Sequence, residues 1–265
     1  MKILVTGATG NVGRMVVDEL LARGADDVRA LTVDPARAAL PEGVEVVRGF
    51  VGRPSLDWLH GVDVMYLAPH IPTVAETCRA AARAGVGRIV DLAGAKGDHW
   101  QAIEDGVEAS GVPYTHLEPG EFMANATIWA DQIRAGDEIR DAYADSANAA
   151  IAQEDIAAVA AHVILGDGHE GRSYELTGPE SLTRRQKVEA IGRALGRELR
   201  YIELTHDDAV RQLQPAMGEY AEWYLQGAAA LLQHPQAATP TVAELLGRPA
   251  KTYEQWARDH ADQFR

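Results

Sequence analysis

The chain holds a single cysteine, Cys78. Neither an intrachain disulfide framework nor a cysteine-based metal cluster can be built from it, and it reads as a small apolar residue on a helix face. Long hydrophobic runs are also missing. The longest nearly apolar stretch, 156–165, is about half of the roughly 20 residues that a membrane span needs. Positive charge is scarce: 25 lysines and arginines face 39 acids, for a net charge of −14. That balance argues against nucleic acid or an anionic membrane surface as a partner. No secretory signal is visible, because MKILV runs directly into a glycine turn. These absences lead to the expectation of a cytoplasmic protein. What remains is 265 residues of ordinary soluble composition, 46% hydrophobic and 24% charged, enough for a sizeable core in one or two domains.

The first informative stretch is KILVTGATGNVGR, residues 2–14. Ile3, Leu4, Val5 and Thr6 lead into Gly7, Gly10 and Gly13, and apolar residues then recur at helical intervals over 12–21. This pattern predicts a buried strand, a tight glycine turn and a helix. Such a turn aims free backbone N–H groups and the positive end of the helix dipole at one point, where a pyrophosphate fits. The glycines permit the turn, the approach of the phosphates and close packing of helix on strand. Thr9, Asn11 and Val12 lie within the same turn, and Asp34 follows 21 residues after Gly13, near the distance at which a dinucleotide site places an acid against the adenosine ribose. Arg37 and Arg14 carry guanidinium forks suited to a 2′-phosphate.

Further strands are predicted over 28–33, 44–47, 62–67, 86–92 and 113–117. Helices are predicted over 56–59, 73–84 (stopping at Gly85) and 99–109. The β-α-β alternation calls for an α/β fold: a Rossmann-type doubly wound parallel sheet with helices on both faces. Ligands bind beyond the carboxyl ends of such strands. This singles out Gly7 to Val12, Asp34, Phe50, Ala68-Pro69-His70, Ala93 to Lys96 and Glu118 to Phe122. After residue 120 a helix is expected over 122–133, a polar loop over 135–148 and an alanine-rich helix over 155–165. Strands follow over 173–176 and 199–204, and capping boxes at Thr183/Gln186 and Thr252/Gln255. Met217, Tyr220, Trp223 and Tyr224 form an aromatic group at helical spacing, read as core or cap packing whose outer members could line a pocket. The division expected is a dinucleotide-binding domain over 1–148, to which later segments could add strands or helices, and a smaller, mostly helical substrate region over 149–265.

Several motifs together resemble a known family. They are TGATGNVG at 6–13, Asp34-Pro35-Ala36-Arg37, WQAIED at 100–105, PGEFMAN at 119–125, DIAAVA at 155–160 and GRSYELTGPESLT at 171–183. Over residues 1 to about 205 the chain resembles the NmrA-like, atypical branch of the short-chain dehydrogenase/reductase superfamily. The resemblance implies an NAD(P)(H)-binding Rossmann domain with a C-terminal substrate region. It also implies that Pro119, Gly120 and Phe122 lie beside the nicotinamide, with Ala68 and Pro69 against the cofactor. Members are quinone- and ketone-type reductases or redox-sensing regulators without turnover.

The chain departs from the family at four strand ends. Val33 stands where a basic residue commonly holds the 2′-phosphate. Phe50 replaces an acid that touches adenine, Ala93-Gly94 replaces a serine pair, and Glu118 replaces an arginine. The choice between NADP(H) and NAD(H) therefore stays open. The superfamily's proton relay, a tyrosine four residues before a lysine, is missing, since none of the eight tyrosines has a lysine at that spacing. Lys96, His99, His70 and Glu118 are the candidates to replace it, with Glu121 and Tyr66 nearby. The leading expectation is an NAD(P)H-dependent oxidoreductase that reduces a small carbonyl, quinone or enone. One alternative is a non-redox isomerase, lyase or cyclase using Glu118, His99 or Lys96 as acid–base groups; another is a non-catalytic NAD(P)-sensing regulator. The expected partner is a small-molecule substrate, and a homo-oligomer is left open.

Overall fold

The computed structural model describes residues 1–94 and 100–265, so Lys96 and His99 lie outside the described residues. The first half runs β1 (Ile3–Val5), α1 (Asn11–Ala22), β2 (Val28–Thr32), β3 (Glu45–Arg48), β4 (Val64–Leu67), α2 (Val74–Ala84), β5 (Arg88–Leu92), α3 (Gln101–Glu108) and β6 (Tyr114–Pro119). Then come α4 (Ala130–Ala135), β7 (Glu138–Asp141), β8 (Ala147–Asn148), α5 (Gln153–Leu165), β9 (Arg172–Leu176), β10 (Leu182–Thr183), α6 (Arg184–Leu195) and β11 (Arg200–Glu203). Four helices end the chain: α7 (His206–Met217), α8 (Tyr220–Gln233), α9 (Thr241–Leu246) and α10 (Tyr253–Asp259).

The chain divides into two compact units. The first comprises Met1–Gly120, Gln153–Leu176 and Thr241–Arg248; the second comprises Glu121–Ala152, Thr177–Pro240 and Pro249–Arg265. The boundary thus falls at Gly120 instead of residue 148, and two later segments return to the first unit. In that unit seven strands form one wholly parallel sheet in the order β3-β2-β1-β4-β5-β6-β9. The chain starts in the middle and winds outward both ways, which puts the switch point between β1 and β4. Leu4, Leu31, Met65, Leu67, Cys78, Ile89 and Ile103 pack together on one side of the sheet. Burial pushes the Cys78 thiol up to about 12, so it is inert and packs as a small apolar group. On the other side α5 packs against α1, β4, β5 and β6. Its alanines allow that close approach, and its buried Asp155 is bonded by Arg248 at 2.8 Å.

The second unit contains the parallel pair β7–β11, the antiparallel pair β8–β10, and a core of Trp129, Ile133, Ile139, Val188, Ile191, Tyr253, Trp256 and Phe264. Both expected capping boxes form, at α6 and α10. Met217 and Tyr224 pack against Leu213 and Leu225, whereas Tyr220 and Trp223 remain exposed, so the aromatic group is split.

Three expectations change. Residues 56–59 form turns instead of a helix: Leu59 N bonds Leu56 O and Val62 N bonds Leu59 O, between Pro54 and Gly61, leaving no length for a helical ladder. The helix expected over 122–133 begins as a 3₁₀ turn at Met123–Trp129 and becomes α-helical only at Ala130. Its start is held extended because Met123 N and Ile151 N exchange bonds with Ile151 O and Glu121 O. The polar segment 135–148 contains β7 and β8.

Candidate functional site

The glycine turn sits at the switch point of the first unit. Thr6 is fully buried, and its hydroxyl donates to Tyr66 O at 3.1 Å while accepting from Ala68 N at 2.8 Å. That hydroxyl ties the end of β1 to the end of β4 and brings Ala68 against the turn. Gly7 then adopts φ +60, a left-handed conformation that an L-residue rarely takes. A Cβ at Gly7 would lie 2.9 Å from the Ala68 side chain, and one at Gly13 would lie 2.2 Å from Gly7 O. Gly13 therefore lets the first turn of α1 rest directly on the loop. Gly10 is the residue before the helix, with Asn11 exposed and Val12 buried in its first turn.

Thr9 meets Thr32 hydroxyl to hydroxyl at 3.3 Å, and the Thr32 hydroxyl also receives Asp34 N at 3.4 Å. The turn and the end of β2 are thus one local construction. Asp34 is half-buried and Arg37 exposed. Phe50 is 44% exposed and contacts His70 edge-on at 5.2 Å, while His70 Nδ1 lies 3.0 Å from the Thr73 hydroxyl. Pro69 follows Ala68 on the same loop and is half-buried. Ala93 N bonds Leu117 O at 2.8 Å, which aligns the ends of β5 and β6, and Gly120 N bonds Leu176 O just past Pro119. Glu118 is half-buried on β6, in register with Glu175 of β9.

The first unit therefore gathers Gly7, Thr9, Gly10, Asn11, Val12, Asp34, Arg37, Phe50, Ala68, Pro69, Ala93, Glu118 and Pro119 at the carboxyl ends of its parallel strands. A crevice whose turn leaves no room for a Cβ at Gly7 or Gly13, at the mouth of a helix, fits a dinucleotide diphosphate. Tyr66 faces inward instead: it is fully buried and burial drives its phenol pKa up.

Glu121 begins the second unit, and what surrounds it was not foreseen. Lys187 Nζ donates to it at 2.7 Å, Asn148 Nδ2 at 2.9 Å and the Tyr224 hydroxyl at 3.2 Å. Burial alone would raise the Glu121 carboxyl, but the Lys187 ammonium holds it below its usual range. Burial lowers Lys187 against the pull of Glu121. Arg184 joins the same assembly, donating to the Tyr224 hydroxyl at 3.1 Å and pairing with buried Asp141, which also accepts from Trp129 Nε1. The rarity of lysine, four in the chain, was the one sequence signal that Lys187 has a specific task.

Comparisons with known proteins agree with this geometry. Residues 7–166 match the family model described as NAD(P)H-binding. The chain is 40% identical, over 99% of both chains, to the (4-alkanoyl-5-oxo-2,5-dihydrofuran-3-yl)methyl phosphate reductase of Streptomyces griseus. It is 31% identical, again over 99% of each, to an NAD(P)H azoreductase of Xenophilus azovorans. Among solved structures, the NADPH-dependent quinone oxidoreductase of Escherichia coli superposes with a TM-score of 0.85 at 26% identity, covering 97% of this chain and 98% of that one. The glycine crevice, the seven-stranded parallel sheet and these matches place the chain in the NAD(P)H-binding family, among the atypical short-chain dehydrogenases/reductases.

Proposed function

We propose that this NAD(P)H-dependent oxidoreductase reduces a small acceptor whose double bond is conjugated to carbonyl groups, an enone-type lactone or a quinone, in preference to an isolated ketone. The observation that carries the reading is the full-length 40% identity to a reductase whose substrate, by its name, is a 5-oxo-2,5-dihydrofuran bearing a 4-alkanoyl group. The ring C=C of such a compound is conjugated to two carbonyls. Hydride addition to it leaves an enolate spread over both, and addition to a quinone leaves a phenolate. Either anion is far more stable than the alkoxide left by a simple ketone, so hydride transfer to it depends less on a protein acid that donates a proton as the charge develops. The missing Tyr-x-x-x-Lys relay is consistent with that economy.

When bound, the reduced dinucleotide supplies the hydride. In the chain itself, the amides of Gly7, Thr9, Asn11 and Val12 would hold its diphosphate, while Gly10, whose own N–H bonds Gly7 O at 2.9 Å, closes the turn and lets the phosphates approach. Asp34 and Arg37 would address the adenosine ribose, with Phe50 near the base. Ala68, Pro69, Ala93 and Pro119 would line the path of the nicotinamide half. Glu118, His70, Lys96 and His99 are the proposed sources of the proton.

The test is turnover with 4-deuterated NADPH against butenolides carrying an acyl group, quinones and simple ketones. Deuterium is expected at the β-carbon of the acyl butenolide, with ketones turned over at least ~100-fold more slowly. Tight NADPH binding without consumption across all three classes would overturn the reading in favour of a sensor.

A further inference from the structure

We propose that Arg48 and Arg53 hold the 2′-phosphate of NADPH, so that the chain selects NADPH over NADH from the end of β3. The proposal rests on the NAD(P)H-dependent reading and adds which nucleotide is preferred and which residues read it.

The placement follows from register. Thr32 and Arg48 are partners across the parallel pair β2–β3, and Gly49 N donates to Thr32 O at 2.9 Å. Paired residues on neighbouring strands share a sheet face. Arg48 therefore stands on the face of Thr32, whose hydroxyl meets the glycine turn at Thr9 and receives the amide of Asp34. After β3 the chain folds back, with Arg53 N bonding Phe50 O at 2.9 Å. The result is a cleft of about 460 Å³ lined by Val33, Arg48, Phe50, Arg53, Ser55 and Asp57, among others. That volume lies within the range of small-molecule sites.

The charges in the cleft are unbalanced in a telling way. Asp57 accepts from the Ser55 hydroxyl at 3.1 Å. Arg48 and Arg53 are both exposed, and among the described residues neither guanidinium has a hydrogen bond or an ion pair. By contrast Arg29, one strand away, is bound by Glu45 and by two carbonyls. In a chain with 39 acids and a net charge of −14, two unpaired arginines against the single carboxylate of Asp57 leave the lining of this cleft net positive and mark a place for an anion from outside. Val33, 64% exposed at the end of β2, cannot supply that charge. Phe50 adds an exposed ring suited to stacking on a flat base. Gly52 leaves room for that ring, since a Cβ there would lie 2.2 Å from it.

The experiment is calorimetric titration of the full chain and its Arg48→Ala, Arg53→Ala and double variants with 2′,5′-ADP and with 5′-AMP. The wild type is expected to bind 2′,5′-ADP at least ~10-fold more tightly than 5′-AMP. Each single variant should lose ~10-fold and the double variant ~100-fold for 2′,5′-ADP, with 5′-AMP unchanged within about twofold. The preference should also shrink as salt is raised. Because both side chains are exposed, the melting temperatures of the variants should match that of the wild type. Equal binding of the two nucleotides by the wild type, or a preference that survives the double variant, overturns the assignment and leaves the reductase reading intact. If the wild type binds neither nucleotide nor NADPH, the coenzyme reading itself fails.

Discussion

Gly13 is the residue on which the crevice is least forgiving. An added methyl would sit 2.2 Å from Gly7 O and 2.8 Å from Gly7 C, both backbone atoms of the turn it rests upon. Neither can yield without moving the phosphate-facing amides. Gly13→Ala is therefore expected to cost about 1–3 kcal/mol of stability and to weaken NADPH binding at least ~10-fold, measured by urea melts and by fluorescence titration. A variant that binds like the wild type would contradict the cradle. His116 makes a different case. Its Nδ1 lies 2.7 Å from Asp91 Oδ2, and both residues are fully buried. Burial raises the Asp91 carboxyl against the pull of His116. Burial also works to lower His116, but Asp91, Glu104 and Glu108 hold it above its ordinary 6.5. A histidine raised in the folded state contributes stability that is complete below 6.5 and is lost as pH rises through the folded value. The raised Asp91 acts in the same direction, its share being complete below 3.8 and lost as pH rises through its raised value. Stability should thus decline from below 6.5 to well above it, and His116→Ala should remove the histidine's share of that slope at a cost of about 3–5 kcal/mol. Denaturant melts of both proteins across that window check the sign.

Elements were legible where the determinants are local. The strand–turn–helix at residues 3–22 needs only three glycines and an apolar stripe. The helix caps at Thr183 and Thr252 need only a residue three positions on, and both form as the spacing predicts. α10 is a short helix, and Thr252 accepts from Gln255 N at 3.2 Å while Gln255 Oε1 accepts from Thr252 N at 2.9 Å. Thr252→Ala should lower stability by about 1 kcal/mol, and Thr252→Ser should restore most of it; thermal melts of the two variants decide. β7 shows what defeats such reasoning. Its pattern Glu138-Ile139-Arg140-Asp141 alternates with the proper period of two, but the second buried member is an aspartate. Asp141 can be buried because Arg184 and Trp129 reach it from α6 and from the 3₁₀ turn, partners that no local window contains. The assembly around Glu121 was hidden for the same reason, since Lys187, Asn148 and Tyr224 come from three separate elements.

At the scale of the molecule, the chain leaves its first unit at Gly120, returns for α5 and β9, and returns once more for α9. The sequence allows that later segments add strands or helices to the first domain but does not say which, because the returns depend on contacts between segments far apart in the chain, such as Arg248 with Asp155. The division has a thermodynamic consequence. Every residue proposed to grip the nucleotide, from Gly7 to Pro119, belongs to the first unit. A ligand held there stabilises by mass action, about 2.7 kcal/mol at a hundred times its dissociation constant, or roughly 5–10 °C in a chain of this size. The effect should be localised. Hydrogen exchange with saturating NADPH is expected to slow in peptides covering β1–α1 and the ends of β2 and β3, whose amides the structure places around the crevice and its adjoining cleft. α7, in the second unit, contributes none of these residues and should exchange at its ligand-free rate. Protection confined to α7 would mean that the nucleotide is held by a part of the chain other than the glycine turn.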